Sequence, residues 1–229
     1  FNRRMPEEIN RVLTDHAADM LFAPTRTAVE NLRAEGLPAD RIKLPGDVMY
    51  DAALFYRDLA RRPDWFAEHG LEEGAFVLAT VHRAENTDDA ARLAAIFAGL
   101  AQSELPVVLP LHPRTRGRLD ADGITPAPNI HLVPPVGYLE MVWLEAACKV
   151  IASDSGGVQK EAYFHGRQCI ILRDETEWVE LVDAGWNVIA GADSPRIAAA
   201  LAERSSPGAP PQLYGKGDAA ERVVQQVLA

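Results

Sequence analysis

The sequence predicts an α/β protein whose larger, C-terminal part is built on a parallel sheet. Six short apolar runs are continuous and rich in β-branched residues, as expected of strands covered on both faces; they lie at 76–81, 107–111, 130–133, 150–153, 169–172 and 187–190. Longer stretches with helical character lie between them, at 88–103, 138–147, 158–164, 177–184 and 195–204. Strands that alternate with helices form βαβ units, so this part is expected to be a Rossmann-like domain.

The first 60 residues show a different pattern, with only two strands, at 20–23 and 42–45, among three helices. These helices are expected at 6–18, from Thr25 to Glu35 with Gly36 ending it, and from about 47. Two strands do not form a stable domain alone, and the chain opens with Phe1-Asn2-Arg3-Arg4 rather than Met. We therefore expect a fragment, in which 1–60 is the C-terminal portion of one Rossmann-like domain and 61–229 is a second. A loop at 205–211 leads to a last helix at about 218–228, which is expected to pack back on the first domain.

The composition is that of a soluble globular protein. Of 229 residues, 48% are hydrophobic and 24% are charged, and the formal net charge of −10 disfavours nucleic acid as a partner. No apolar run approaches the roughly 18 residues that a membrane span requires, and no signal peptide is evident. Cys148 and Cys169 lie in apolar stretches and are expected to be reduced thiols. We expect a cytoplasmic protein with neither a nucleic-acid nor a membrane partner.

The strongest local motif follows the strand at 150–153 and opens a helix; it reads Asp154-Ser155-Gly156-Gly157-Val158-Gln159-Lys160-Glu161. Small residues let a ligand approach the backbone, and the free N–H groups of a helix start favour a phosphate. Ser155 adds a hydroxyl, and the Glu161 carboxylate is placed to accept hydrogen bonds from ribose. The same spacing also suits a tight strand–helix turn without a ligand, and the residues alone leave both interpretations open.

Another polar motif, Thr80-Val81-His82-Arg83-Ala84-Glu85-Asn86, also stands at a strand end, where ligands of parallel sheets bind. His82 is a candidate proton carrier or phosphate donor, and Arg83 a candidate anion ligand. The alternative is that His82 only caps the sheet while Arg83 and Glu85 form a surface pair.

Three further motifs carry weaker signals. They are Pro110-Leu111-His112-Pro113-Arg114, Arg173-Asp174-Glu175-Thr176-Glu177 and Pro6-Glu7-Glu8-Ile9-Asn10-Arg11. The first fits either a phosphate contact or a solvated basic turn. The carboxylates of the second could bind sugar hydroxyls and the paired acids of the third could be catalytic, but both motifs are more typical of charged helix starts. Metal-ligand spacing and a Gly-x-Gly-x-x-Gly sequence are both absent, so neither a metal site nor NAD binding is expected.

Taken together, the motifs resemble the non-hydrolysing UDP-N-acetylglucosamine 2-epimerases. Besides the five above, the matching segments are Pro24-Thr25, Asn31-Leu32, Gly46-Asp47, Asp51-Ala52 and Tyr214-Gly215-x-Gly217-x-Ala219, and they run in family order along the chain. The resemblance implies a GT-B-like fold class, with two Rossmann-like domains and the active site between them. The family's opening strand and acidic residues expected before Phe1 are missing from this sequence.

The resemblance also implies roles for individual residues. Ser155, Gly156 and Gly157 would contact the diphosphate of a UDP-sugar, and Glu161 its ribose. The segment with Val136 and Tyr138 would lie beside the uracil. Glu7 and His82 would be catalytic, while Arg83, His112 and Arg173 would complete the substrate site.

The implied reaction is epimerisation at C2 of UDP-N-acetylglucosamine to UDP-N-acetylmannosamine, through loss of UDP to 2-acetamidoglucal and re-addition. It implies no cofactor, no essential metal and a homodimer. Ala84 stands where many relatives have Arg, which suggests a subgroup acting on a modified sugar such as a diacetamido-uronic acid. A GT-B glycosyltransferase, a hydrolysing relative and an inactive UDP-binding fragment are the alternatives.

Overall fold

The computed structural model describes residues 6–203, 208 and 210–229. The chain forms two compact units, one from Phe1–Leu54 with Gln212–Ala229 and the other from Phe55–Pro211. The opening Phe1-Asn2-Arg3-Arg4 and most of the loop expected at 205–211 lie outside the described residues. The expected domains, 1–60 and 61–229, stay a prediction.

In its described residues the first unit contains a two-stranded parallel sheet and four helical segments. Its elements are α1 (Pro6–Ala17), β1 (Leu21–Phe22), α2 (Arg26–Ala34), β2 (Ile42–Lys43), most of α3 (Val48–Arg57) and α12 (Ala219–Leu228). The Thr25 hydroxyl accepts a hydrogen bond from Ala28 N at 3.1 Å and so caps α2, as the sequence predicts. Leu21, Ala23, Leu32 and Leu37 form its buried cluster.

The C-terminal segment is tied to the beginning of α3 by backbone contacts. Asp47 N donates to Tyr214 O at 2.9 Å, and Ala220 N donates to the Asp51 carboxylate at 2.7 Å. Gly46 has a φ of +110°, and a Cβ there would lie 2.9 Å from Tyr214 O. Position 46 therefore needs glycine both for its backbone conformation and for this close approach.

In its described residues the second unit alternates strands with helices, and each of its six strands is followed by a helix. Its strands are β3 (Val77–Thr80), β4 (Val107–Pro110), β5 (Ile130–Val133), β6 (Val150–Ser153), β7 (Cys169–Ile171) and β8 (Asn187–Ile189). Its helices are the end of α3, α4 (Trp65–Glu68), α5 (Ala84–Thr87), α6 (Ala90–Leu100), α7 (Pro113–Ala121), α8 (Tyr138–Ala147), α9 (Gly156–Phe164), α10 (Val179–Asp183) and α11 (Ser194–Glu203).

All six strands are parallel and follow the order β5-β4-β3-β6-β7-β8. The register pairs Thr80 with Ser153, so β3 and β6 end side by side. The direction of strand succession reverses between these two central strands, which makes their carboxyl ends the switch point where such sheets bind ligands.

Apolar side chains cover both faces of this sheet. One buried cluster contains Leu93, Ile96 and Ile197 from α6 and α11, and the other contains Leu144, Val158 and Ala162 from α8 and α9. The two-sided burial explains why the strands are continuous apolar runs rather than alternating ones. The α/β fold class with a parallel sheet is confirmed.

Candidate functional site

Four of the sequence motifs meet at the carboxyl edge of the six-stranded sheet. His82 and Arg83 follow β3, His112 follows β4, and Ser155 opens α9 after β6. Arg173 comes shortly after β7. Because the four strands are adjacent, these segments form one continuous edge around the switch point.

A buried carboxylate joins the two central loops. Asp154 has no exposed surface, and it accepts hydrogen bonds from His82 N at 3.0 and 3.1 Å and from Arg83 N at 2.9 Å. His82 Nδ1 lies 3.3 Å from Asp154 Oδ1, and Asn86 Nδ2 donates to Oδ2 at 3.2 Å. Asp154 therefore fixes the His82 loop relative to the beginning of α9.

Neighbouring hydroxyls and an amide extend this connection across the sheet edge. Thr80 Oγ1 and Ser153 Oγ are 2.6 Å apart, and Ser153 Oγ accepts from Ser155 N at 3.0 Å. The buried Asn86 amide also donates to Leu172 O at 2.8 Å, just beyond β7. These contacts join the ends of three strands, β3, β6 and β7.

The start of α9 has the features of an anion site. Ser155 is its N-cap, and the Ser155 side chain makes no capping hydrogen bond. The first amides of a helix have no intrahelical acceptor, so those of Gly156 and Gly157 are available to a ligand. A Cβ built on Gly156 would meet Trp178 Nε1 at 3.5 Å and Glu177 Oε2 at 3.8 Å, which are ordinary contacts. Folding therefore does not require glycine at 156.

Trp178 supports this helix start from the side. Its indole Nε1 donates to Gly156 O at 2.8 Å, and Lys160 Nζ lies 4.2 Å from the centroid of its ring. Thr176 Oγ1 donates to Gln159 Oε1 at 2.6 Å. The segment after β7 is therefore attached to the first turn and a half of α9.

The Arg173 side chain is buried and forms ion pairs instead of facing solvent. Its side chain is 3% exposed, and it donates to Glu85 Oε1 at 2.9 Å and to both oxygens of Glu177 at 3.0 Å. Burial lowers the pKa of Arg173, but the charges of Glu177 and Glu85 outweigh burial and raise it above its ordinary value. Glu85 thus pairs with Arg173 rather than with Arg83, and direct substrate binding by Arg173 stays a prediction.

His82 and His112 face the same edge, with ring centroids 6.3 Å apart. His112 is exposed, and its Nδ1 accepts from Arg114 N at 3.2 Å, so it caps α7. This contact leaves Nε2 of His112 as the ring atom that can meet a ligand. Arg83 is half-buried, and its Nε has no hydrogen-bond partner among the described residues.

Tyr138 and Glu161 lie on neighbouring helices. Tyr138 begins α8 and is 47% exposed, and its ring meets that of Tyr56 edge-on at 5.2 Å. Burial raises the pKa of Tyr138, with a further contribution from the charge of Glu161. Burial also raises the pKa of Glu161, opposed by the charge of Lys160. Val136, half-buried just before α8, packs against the cluster of the same sheet face.

Glu7 belongs to the first unit, where it is exposed in the first turn of α1. Its helix is anchored by Arg11, whose guanidinium donates to Glu8 at 2.8 Å, to Asp15 at 2.7 Å and to Glu35 at 2.7 Å. The contact with Glu35 ties α1 to the end of α2. The catalytic role expected of Glu7 stays a prediction.

The motif after β6 contains Asp154, but the sequence did not predict that this residue joins the His82 loop to the start of α9. The pairing of Arg173 and the support from Trp178 were also missed. A short sequence such as Ser-Asp-Ser does give one signal, since a lone Asp at the end of an apolar strand must find hydrogen-bond donors when buried.

No group of three or more His, Cys, Asp or Glu side chains in the described residues could hold a metal ion. No helix among those residues has both the length and the apolar character needed to cross a membrane. The expectation that neither cofactor nor metal takes part stays a prediction.

The strand order, the polar loops at the switch point and the open helix start define an α/β protein with a Rossmann-type ligand edge. The family model described as UDP-N-acetylglucosamine 2-epimerase matches residues 1–228. The chain therefore belongs to the UDP-N-acetylglucosamine 2-epimerase family, which confirms the resemblance inferred from its motifs.

Two relatives show how the chain compares with proteins of this family. The chain is 47% identical, over 98% of its length, to a UDP-2,3-diacetamido-2,3-dideoxy-D-glucuronate 2-epimerase of Pseudomonas aeruginosa, and it covers 64% of that protein. It is 37% identical to a UDP-N-acetylglucosamine 2-epimerase of Methanocaldococcus jannaschii, over 98% of the chain and 65% of the relative. The chain thus spans a little less than two thirds of each relative.

Solved structures of UDP-GlcNAc 2-epimerases also match the fold of this chain. A Methanocaldococcus jannaschii UDP-GlcNAc 2-epimerase in complex with UDP-GlcNAc and UDP matches with a TM-score of 0.85 and 35% identity, over 100% of this chain and 66% of that one. A Neisseria meningitidis UDP-GlcNAc 2-epimerase bound to UDP-GlcNAc matches with a TM-score of 0.85 and 29% identity, over 97% and 65%. The GT-B-like fold class expected from the sequence is confirmed.

Proposed function

We propose that this chain is the nucleotide-holding portion of a non-hydrolysing 2-epimerase of UDP-activated 2-acetamido sugars, with UDP-N-acetylglucosamine as the first candidate substrate. The observation that carries the proposal is the open start of α9 at the switch point of the sheet, which Asp154 joins to the loop after β3. Membership of the epimerase family supports the same substrate class.

The diphosphate is assigned to Ser155, Gly156 and Gly157. Two helix-start amides and a hydroxyl that does not cap the helix are suited to its oxygens, and the helix dipole favours their negative charge. Glu177 near Gly156 would repel the diphosphate, but its charge is offset by Arg173. Arg83 and His112 are the basic side chains assigned to the outer phosphate oxygens.

The nucleoside is assigned to the far side of α9. Glu161 lies about one and a half turns from the helix start. Its carboxylate is assigned to the ribose, whose hydroxyls would donate hydrogen bonds to it. Tyr138 and Val136 come from the loop and helix start that follow β5, and they are assigned to the uracil. The exposed half of the Tyr138 ring gives it a free surface for stacking.

The reaction requires that the site bind the leaving group, free UDP, as well as the UDP-sugar substrate. The hydrogen on C2 is not adjacent to a carbonyl, so its removal is feasible only when the C1–O bond to UDP breaks as well. A base takes the C2 proton, UDP leaves with the C1–O electron pair, and 2-acetamidoglucal forms. Re-addition of UDP to C1, with protonation of C2 from the opposite face, gives the epimer. A site that keeps UDP bound during this step favours its re-addition to C1 over its release to solvent.

His82 and Glu7 are proposed as the proton-carrying groups. The contact of His82 Nδ1 with Asp154 at 3.3 Å orients its ring and leaves Nε2 for the substrate. Glu7 is exposed in its own unit and is therefore accessible to a ligand. A homodimer and a cytoplasmic location are further predictions of the family resemblance.

A second candidate substrate is the UDP-activated 2,3-diacetamido-glucuronic acid. It is favoured by the 47% identity to the Pseudomonas aeruginosa enzyme named for this sugar. Ala84 follows Arg83 at the sheet edge and is exposed, so it adds no second basic side chain there. Both substrates undergo the same C2 chemistry, so the two candidates differ only in the sugar that is recognised.

Proton NMR in D₂O tests the proposal directly, with each UDP-sugar incubated separately with the protein. Incorporation of deuterium at C2 together with formation of the manno epimer is the expected result, and the faster of the two sugars identifies the substrate. Release of free N-acetylmannosamine would indicate a hydrolysing relative. Transfer that needs an acceptor would indicate a glycosyltransferase. Binding of UDP without any exchange at C2 would indicate a binding module and contradict the epimerase proposal.

A further inference from the structure

Trp178 contacts the peptide group that joins the two glycines at the start of α9. Its indole Nε1 donates to Gly156 O at 2.8 Å. This carbonyl and the N–H of Gly157 belong to one planar trans peptide group, so they point in opposite directions. A hydrogen bond that restrains the carbonyl therefore also restrains the direction of the Gly157 N–H.

This peptide group is weakly restrained by its own chain. Glycine has no Cβ and accepts a wide range of φ and ψ, and here a glycine stands on each side of the group. The group also lies in the first turn of α9, where helices fray and where the Gly157 N–H has no acceptor within the helix. The indole supplies a restraint that the two glycines do not.

Trp178 is itself held against α9. Lys160 Nζ lies 4.2 Å from the centroid of its indole ring. The backbone N–H of Trp178 donates to Thr176 Oγ1 at 3.1 Å, and this hydroxyl donates to Gln159 Oε1 at 2.6 Å. Lys160 and Gln159 are both buried residues of α9. The side chain and the backbone of Trp178 are thus both attached to the helix whose first turn the indole contacts.

The preceding residue attaches the same segment to the sheet edge. Both carboxylate oxygens of Glu177 accept from Arg173 Nη1 at 3.0 Å, and the Arg173 side chain is buried. An indole carries one N–H donor, and Gly156 O accepts it. Trp178 therefore acts on a bound phosphate through the peptide group and not as a direct hydrogen-bond donor.

We propose that Trp178 is a positioning residue of the diphosphate site, which holds the Gly156–Gly157 peptide group so that the Gly157 N–H faces the ligand. This inference rests on the proposed function, which assigns the diphosphate to the start of α9. An N–H that is already oriented binds an anion more tightly than one that must be ordered on binding, because less conformational entropy is lost.

The test compares the affinities of wild type and Trp178→Phe for UDP and for uridine, measured by NMR titration. Phenylalanine keeps an aromatic ring beside Lys160 and removes the N–H donor. Uridine has the base and ribose of UDP but no diphosphate, so the ratio of the two affinities isolates the diphosphate contacts. Trp178→Phe should bind UDP about fivefold more weakly, the size expected of one neutral hydrogen bond, and uridine as wild type does.

Trp65→Phe is the matched control. It removes an indole N–H from α4, a helix of the same unit to which no part of the nucleotide is assigned, and it should keep both affinities. A purely structural role of Trp178 would weaken UDP and uridine by the same factor or leave both unaltered, and either result overturns the inference. Trp178→benzothienylalanine, in which sulfur replaces the indole N–H at nearly the same shape, repeats the test if the smaller ring disturbs the fold.

Nitrogen-15 relaxation gives a second measurement that needs no nucleotide. Gly156-Gly157 is the only Gly-Gly pair in the sequence. Protein made by cell-free synthesis with ¹³C′,¹⁵N-glycine therefore gives one carbonyl-to-nitrogen correlation between two glycines. The order parameter of the Gly157 N–H should be about 0.85 in wild type, as for rigid backbone, and lower in Trp178→Phe. An unaltered order parameter overturns the inference.

The outcomes separate this inference from the function it rests on. If UDP does not bind to wild type, the proposed function is contradicted and the role of Trp178 with it. If UDP binds to wild type and Trp178→Phe leaves its preference over uridine unaltered, only the inference fails.

Discussion

Replacing Asp154 with Asn should show how far one buried carboxylate holds the candidate site together. Asp154 Oδ2 accepts from Arg83 N at 2.9 Å and from Asn86 Nδ2 at 3.2 Å, in a position with no exposed surface. Asparagine carries no charge, and its NH₂ donor takes the place of one carboxylate oxygen, so that a donor faces the backbone N–H of His82 or of Arg83. Each hydrogen bond to a buried charged acceptor contributes about 1.5–3 kcal/mol, so a loss of about 3 kcal/mol or more is expected. For a unit of this size the melting temperature should fall by about 6–12 °C.

Asp89→Asn is the matched control for this experiment. Asp89 also accepts from two backbone amides, Ala91 N at 2.9 Å and Arg92 N at 3.1 Å, but it is an exposed N-cap. Asparagine caps helices about as well as aspartate, so the control should stay within about 0.5 kcal/mol of wild type. Differential scanning calorimetry of both variants checks the prediction. Equal melting temperatures for the two variants would refute the view that Asp154 joins the two loops.

Three further predictions concern the same unit. Gly156→Ala should melt at the temperature of wild type, because its Cβ meets only ordinary contacts at 3.5 and 3.8 Å. Its affinity for UDP, measured by calorimetry, should nevertheless be at least tenfold weaker. An unaltered affinity would place the diphosphate elsewhere. Glu161→Gln should weaken UDP about tenfold and 2′,3′-dideoxy-UDP much less, and equal losses would contradict a contact with ribose. His165 has its pKa lowered from 6.5 to about 4, so the fold favours the neutral ring, and this stabilisation is complete above pH 6.5 and lost as pH falls towards 4. Each tenfold change in proton affinity corresponds to about 1.4 kcal/mol. Between pH 7 and pH 4 the free energy of unfolding, measured by urea denaturation, should therefore fall by about 3 kcal/mol more for wild type than for His165→Leu. Parallel pH profiles for the two proteins would contradict a buried neutral histidine.

The strands could be predicted because burial on both faces leaves a direct mark on the sequence. The runs at 130–133 and 150–153 coincide with β5 and β6, and neighbouring predictions differ only at their ends. The helices α4 and α5 were missed, since four residues carry no helical periodicity. The predicted helix at 88–103 begins instead at Ala90, after the Asp89 cap.

The candidate site was only partly predictable, for a physical reason. Phosphate-binding potential at Ser155 and Gly156 is local, because a strand, two glycines and a helix start lie together in the sequence. The pairing of Arg173 with Glu85 joins residues 88 positions apart, and the contact of Asp154 with Arg83 joins residues 71 apart. Such partners are brought together by the strand order, which no local pattern specifies.

The central claim is that the start of α9 holds a pyrophosphate, and a crystal structure of the protein with UDP tests it most directly. Diphosphate oxygens are expected about 3 Å from the amide nitrogens of Gly156 and Gly157, with the ribose turned to Glu161. Density for the nucleotide at another place, with a side chain of the protein seated on these two amides, would contradict it.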